Sequence, residues 1–257
     1  MKHNLLVSFI AIIALLPLIA AGAGADYTVS TGFDYSTGKY GATASTDILY
    51  LPLIGACEGD TWAVKLTIPY IRLKGPGNVT PDLGPIGQGT GTTKIETQSG
   101  LGDIVASGGL DLYRNRQTGL IVGTTAKIKL GTASQAKGLG TGKNDYYLQL
   151  DATQPYGDFT PFASLGYRVV GNPSGYDLHN VYYGSIGSTY RLNPRDSIGA
   201  SWDMREKIND SSSAAFELTA FYTHRIDAAW RAQAYAMTGF TDASPDFGLG
   251  AIVGYRF

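Results

Sequence analysis

The sequence has 257 residues, with 20 Lys and Arg against 21 Asp and Glu, a formal net charge of −1, and only 16% charged residues beside 34 Gly and 17 Tyr. That balance excludes a general nucleic-acid binder, which carries a basic excess, and the composition is that of an all-β, exported chain. A single Cys excludes an intramolecular disulfide.

At the N-terminus, Lys2 and His3 precede an almost wholly apolar run from Leu5 to Ala21, and Ala23-Gly24-Ala25 supplies the small residues of a signal-peptidase site before Asp26. Residues 1–25 are therefore expected to be a cleaved secretory signal. The rival reading, a transmembrane anchor, has Pro17 and a marginal length of about 17 residues against it. Taking Lys2 from the 20 basic residues leaves 19 against 21 acidic ones in residues 26–257. No apolar run in that region is long enough for a spanning helix.

From residue 26 onward, strand-like segments alternate with turn signals. Twelve are predicted, at about 27–36, 44–54, 61–73, 101–113, 119–130, 144–155, 159–171, 178–192, 196–208, 214–226, 229–240 and 247–257. The connections sort by length. Gly55 to Asp60, Asn115 to Thr118, Tyr156 to Asp158, Asn193 to Asp196 and Asp227-Ala228 are tight, whereas Gly75 to Gly100 and Gly131 to Lys143 are long. Cys57 falls in the first of the tight turns and reads as an incidental thiol. An even strand number with short turns at one end and long loops at the other is the pattern of a transmembrane antiparallel β-barrel, with short periplasmic turns and longer extracellular loops. One such domain accounts for residues 26–257.

The last segment, Phe247-Gly-Leu-Gly-Ala-Ile-Val-Gly-Tyr-Arg-Phe257, shows the alternation most plainly. Phe247, Leu249, Ala251, Val253, Tyr255 and Phe257 share one face, and Gly248, Gly250, Gly254 and Arg256 share the other. A greasy face toward lipid and a small or charged face toward water suit a barrel wall. This strand is expected to close the ring against residues 27–36, and its terminal aromatic to serve the barrel-assembly machinery. Elsewhere, Ile198, Ala200, Trp202 and Met204 face out in 196–208, as do Leu120, Val122, Thr124, Ala126, Ile128 and Leu130 in 119–130. The strand at 44–54 is apolar on both faces, and its Pro52 cannot donate to a ladder. Aromatics near strand ends, among them Tyr27, Trp62, Tyr70, Tyr146, Tyr190, Trp230 and Tyr255, read as two interfacial girdles.

Charges at lipid-facing mid-strand positions cost about 2 to 4 kcal/mol each, so the charged residues are assigned to the lumen. The pore-lining candidates are Lys65, Asp103, Asp111, Lys127, Lys129, Asp151, Arg168, Arg191, Asp203, Arg205, Lys207, Glu217, Arg225, Arg231 and Arg256, with Asp34 beside them. Basic groups predominate in this set, and rings of basic side chains favour anions in a pore. The competing reading is that these charges pair across a narrow barrel and fill it.

Other chemistry finds no support. Lys137-Gly-Leu-Gly-Thr-Gly-Lys143 lacks the glycine spacing, the following Ser or Thr and the helix of a phosphate loop. Glycine there and in Gly75 to Gly100 suits a tight extracellular loop or one folded into the mouth. The two His of residues 26–257, His179 and His224, stand in His-Asn-Val and His-Arg-Ile contexts, without the nucleophile pairing that hydrolysis needs. No dense acidic cluster at metal-ligand spacing appears. No catalytic residue, metal or cofactor is expected.

Leu66-Thr-Ile-Pro-Tyr70, Gly100-Leu-Gly-Asp103, Lys129-Leu-Gly-Thr132 leading into Lys137 to Tyr146, and Pro161-Phe-Ala-Ser-Leu-Gly-Tyr167 carry a family resemblance. The chain from about residue 44 onward resembles the outer-membrane transporter family associated with the MetA pathway of phenol degradation. The resemblance implies an outer-membrane barrel that moves small, aromatic compounds, and it carries no catalytic residue. The expected function is a channel for passive uptake of small solutes, with aromatic or anionic compounds as candidates, in the bacterial outer membrane and in contact with its lipids. The alternatives are a barrel enzyme hydrolysing lipid and a plugged structural barrel.

Overall fold

The computed structural model describes residues 24–86 and 94–257. Residues 1–23 of the predicted leader and 87–93 of the first long loop lie outside this range. The strands are β1 (Asp26–Gly38), β2 (Thr46–Glu58), β3 (Trp62–Gly75), β4 (Glu96–Leu101), β5 (Ile104–Arg114), β6 (Ile121–Leu130), β7 (Asp145–Thr153), β8 (Phe159–Val169), β9 (Val181–Arg191), β10 (Asp196–Arg205), β11 (Ala215–Arg225), β12 (Trp230–Gly239) and β13 (Phe247–Arg256).

All thirteen belong to one antiparallel sheet, in which β1 pairs with both β2 and β13 and β2 also pairs with β3. The sheet therefore closes on itself. Because β4 and β5 lie end to end against β3, they form a single stave, and the ring has the expected twelve. Closure removes every open edge. The ring is sealed by the register Thr28↔Arg256 through Thr37↔Phe247, so the closing strand meets its predicted partner.

The split between β4 and β5 is a β-bulge. Tyr70 pairs with Leu101 and Thr67 with Val105, so two β3 residues, Ile68 and Pro69, face three on the other side. Pro69 has no N–H to give, and the Gly102 N–H instead donates to the Pro69 carbonyl at 2.9 Å. A Cβ at Gly102 would lie 2.5 Å from Ile71 Cδ1 and 2.9 Å from Pro69 Cγ, so a side chain there would have to displace both. The extra residue shifts parity by one, which turns Asp103 to the interior together with Ser107 and Asp111.

Outward positions are apolar and exposed along successive staves: Leu148 and Leu150 on β7, Leu165 and Tyr167 on β8, Tyr182 and Ile186 on β9, Leu249 on β13. An exterior this greasy is stable against lipid rather than water. Aromatics gather at its two levels. Trp230, Tyr255 and Phe257 stack edge to face at 5.0 and 4.9 Å near one end. Near the other, Tyr167 lies tilted on Tyr182 at 4.9 Å and Trp202 stacks on Phe240 at 5.0 Å. Both sets fit interfacial girdles.

The tight turns lie at the end that carries the start of β1. In three of them one side-chain oxygen accepts two backbone N–H groups: Asn115 from Gln117 and Thr118, Asn193 from Arg195 and Asp196, and Asp227 from Ala229 and Trp230. An Asx side chain can thereby reverse the chain without a long loop. Cys57, expected in a turn, instead lies within β2 opposite Val64, because β2 continues to Glu58 before Gly59 turns.

Inside the wall, glycines on one strand take up bulky side chains from the next. A Cβ would sit 2.4 Å from the Tyr183 ring at Gly166, 2.5 Å from the Tyr235 ring at Gly250 and 2.4 Å from the Phe221 ring at Gly199. Each ring lies flat against the backbone in place of a missing side chain. Gly166→Ala is expected to destabilise the barrel by about 1–3 kcal/mol through overpacking. Gly108→Ala, whose nearest neighbours are 3.9 Å away, should be neutral within about 0.5 kcal/mol. Denaturant titration followed by heat-modifiable gel mobility measures both, and equal stabilities would refute the packing account.

Candidate functional site

The inward row across β3, β5, β6, β7 and β8 reads Lys65, Ser107, Lys127, Tyr147, Arg168, each paired with the next. One wall of the interior is therefore cationic with an aromatic in its midst. Lys127 Nζ lies 3.7 Å from the centre of the Tyr147 ring, and Arg168 Cζ lies 5.0 Å from it. Such contacts place both cations against the aromatic ring. A second row, Glu217, Asp203, Ser185, Ser164, Asp151, runs across β11 to β7. On β1, Asp34 pairs with Tyr50 and accepts a hydrogen bond from the Tyr235 hydroxyl. The two rows thus carry opposite charge.

At the loop end the cationic wall meets a buried ion cluster. Asp145, only 1% exposed, accepts from Arg168 Nη2 at 2.6 Å and from Lys129 Nζ at 2.8 Å. Its other oxygen accepts the Gly171 N–H at 2.8 Å. Asp103 lies 3.5 Å from Lys129 and accepts the Ala133 N–H at 2.9 Å. Buried charges are tolerable only when so paired, and removing one partner costs about 3–5 kcal/mol.

The third carboxylate of the cluster comes from the first long loop. Asp82 accepts from Arg168 Nη2 at 2.7 Å and from the Tyr147 hydroxyl at 3.4 Å, with Lys129 Nζ at 3.5 Å. Desolvation opposes its charge, but Arg168 and Lys129 outweigh that and hold its carboxyl well below the usual range. On one side of Asp82, Val79 packs with Tyr40, Ile48, Ile71, Leu73, Ala133 and Leu139. On the other, Leu83 and Ile86 pack with Val170, Leu178, Val181 and Ile208. Arg205 donates to the Leu83 carbonyl at 3.2 Å. Residues 79–86 therefore cross the mouth between two apolar clusters and fold into the lumen, the second of the two courses open to this loop. The other long loop follows it inward: Leu139 is buried and stands 3.2 Å from where a Gly100 Cβ would be.

Of the predicted lining residues, Lys65, Asp103, Lys127, Lys129, Asp151, Arg168, Asp203, Arg205, Glu217 and Arg231 take inward positions along the staves. Asp111 does so at the turn end, bonded to Arg114. Arg191, Arg225 and Arg256 have inward parity but sit at strand ends, where Arg191 pairs with Asp158 at 3.2 Å and Arg256 with Asp26 at 2.7 Å. They form a rim, not a wall. Lys207 stands outside the barrel altogether: β10 stops at Arg205, and Lys207 pairs with Asp210 at 2.9 Å in the exposed loop beyond. Asp82 and Asp145 escaped the sequence reading. Asp145 had a signal, since it shares the parity of Asp151 on β7; Asp82, in a loop without periodicity, had none. With two further acids inside and four basic groups at or beyond the ends, the interior has no net positive excess, and its basic groups are concentrated instead in the row Lys65, Lys127, Arg168.

His224, at the turn end, has its Nδ1 2.6 Å from Asp196, which also accepts the Tyr222 hydroxyl at 2.5 Å. Among the described residues no serine hydroxyl hydrogen-bonds to this pair, and no group of His, Cys, Asp and Glu suits a metal ion.

No family model matches the chain, and no curated sequence does. Solved structures do match in fold. The NanC porin superposes with a TM-score of 0.54 at 11% identity, over 89% of this chain and 98% of its own. The translocator domain of the autotransporter NalP from Neisseria meningitidis gives 0.51 at 13%, over 93% and 91%. The KdgM porin in complex with disordered oligogalacturonate gives 0.50 at 11%, over 90% and 99%. The chain has the fold of these closed antiparallel barrels.

Proposed function

We propose that the protein is a passive channel of the bacterial outer membrane for small solutes, with a preference for anions and for compounds with an aromatic or compact apolar body. The observation that carries this reading is the inward row Lys65, Lys127, Tyr147, Arg168 on one wall of a lipid-exposed ring. A path lined on one side by cations lowers the energy of an anion along its length. Two of the barrels that share the fold are porins by name, one of them in complex with disordered oligogalacturonate. The resemblance to the transporter family of phenol degradation points the same way for aromatic solutes. A cleaved leader over residues 1–25 would deliver the chain to that membrane, and the closing strand β13 would present it to the assembly machinery.

Reversal potentials of the full barrel in a planar bilayer under a salt gradient test the preference. Anion selectivity is expected, and cation selectivity would refute it. In Lys65→Gln and Lys127→Gln the anion permeability should fall about fivefold per site, the factor for losing about 1 kcal/mol between unit charges 4 Å apart in water. Liposome swelling with benzoate against neutral sugars tests the solute class; faster entry of the sugars would count against it.

A further inference from the structure

The residue that crosses the mouth has the chemistry of the solute proposed above. Asp82 places a carboxylate on Arg168 and Lys129, and Leu83, next in the chain, is 1% exposed in an apolar recess formed by Val170, Leu178, Val181 and Ile208. A charged head on two cations with a compact apolar body beside it is the outline of a small organic acid. From this juxtaposition we propose that the Arg168–Lys129–Tyr147 cradle and the adjoining recess form a binding subsite for a small monocarboxylate with an apolar body, and that Asp82-Leu83 occupies it as an internal competitor. The proposal rests on the channel reading for its purpose, but its geometry stands apart from it.

Three features distinguish Asp82 from a structural partner of the same cations. Asp145 is held in strand β7 and is 1% exposed, whereas Asp82 sits on a loop with 41% of its side chain exposed. Both bind Arg168 Nη2, at 2.6 and 2.7 Å, so one guanidinium serves a fixed carboxylate and an accessible one. Asp82 also has φ +69°, a left-handed conformation uncommon for a non-glycine residue. Withdrawing Asp82 removes the loop's carboxylate from Arg168 and Lys129 and leaves them paired with the fixed carboxylates of Asp145 and Asp103. The vacated cradle has guanidinium and ammonium donors released from the loop, and the Tyr147 hydroxyl lies beside the position of the lost carboxylate. Anion exchange at such a site costs little reorganisation, because the wall residues are already fixed by Asp145 and the Gly171 N–H.

Asp82→Asn removes the competing charge while keeping the side-chain type that tolerates a left-handed backbone best; Asp82→Gly removes the side chain with no backbone penalty. Calorimetric titration of the full, detergent-folded barrel with benzoate, and with benzyl alcohol as its uncharged counterpart, reads the competition directly. Both variants should bind benzoate about tenfold more tightly than the parent, with benzyl alcohol unchanged. Equal benzoate affinity in parent and variants, or an equal gain for benzyl alcohol, would overturn the subsite. Because binding is read without current, a barrel that binds as expected yet carries no anion flux would refute the channel reading while leaving the subsite in place.

Discussion

Everything in this molecule depends on the pairing of β1 with β13. A strand facing hydrocarbon has no water to satisfy its N–H and C=O groups, so an open edge is not tolerated. The ten consecutive pairs from Thr28↔Arg256 to Thr37↔Phe247 remove that edge and convert a sheet into a ring. Once the ring exists, the two faces of every strand acquire opposite solvents, and the two-residue period decides which side chain meets which. The register of closure therefore also fixes the interior: Asp34 stands opposite Gly250, and the Tyr235 ring that fills the space above that glycine reaches the Asp34 carboxylate.

The interior is built by the same economy. Where an inward glycine on one stave faces a ring from the next, as at Gly166 with Tyr183 or Gly199 with Phe221, the ring lies along the wall and its volume is taken from the wall instead of the lumen. Where the alternation must be reset, one residue is inserted. The bulge at Gly102 and Asp103 does this opposite Pro69, the place on β3 where the ladder already lacks a donor, and it delivers a carboxylate to Lys129. A missing N–H on one strand thereby becomes a charged ligand for the mouth.

Closed architecture, strand facing and the tight turns at Asn115, Asn193 and Asp227 were legible in the sequence because each rests on local rules that lipid and water enforce residue by residue. The misplacements arise where those rules lose their grip. Cys57 was read into a turn because β2 is apolar on both faces: Ile48 is needed inside, under the infolded loop, so the alternation does not mark where the strand stops. Lys207 was read into the wall by continuing the alternation of β10 two residues past Arg205. The bulge is hidden in Gly100-Leu-Gly-Asp103, whose small residues suit either face. Asp82 had no periodicity to announce it, since a loop's contacts are set by what lies across the mouth.

Net charge was the least informative quantity, and the geometry explains why. A formal charge near zero says nothing of how charges are shared between wall, rim and loop. Arg191, Arg256 and Lys207 meet acidic partners at the ends, where water and salt screen them. Lys65, Lys127 and Arg168 stand in one continuous row inside a low-dielectric ring, where the same unit charge acts over a longer reach. The acidic groups do not cancel this row evenly, because Glu217 and Asp203 lie on β11 and β10, while Asp145 and Asp103 are committed to Arg168 and Lys129 at its upper end. Selectivity in such a barrel is thus set by which staves carry the charges and not by how many the chain contains.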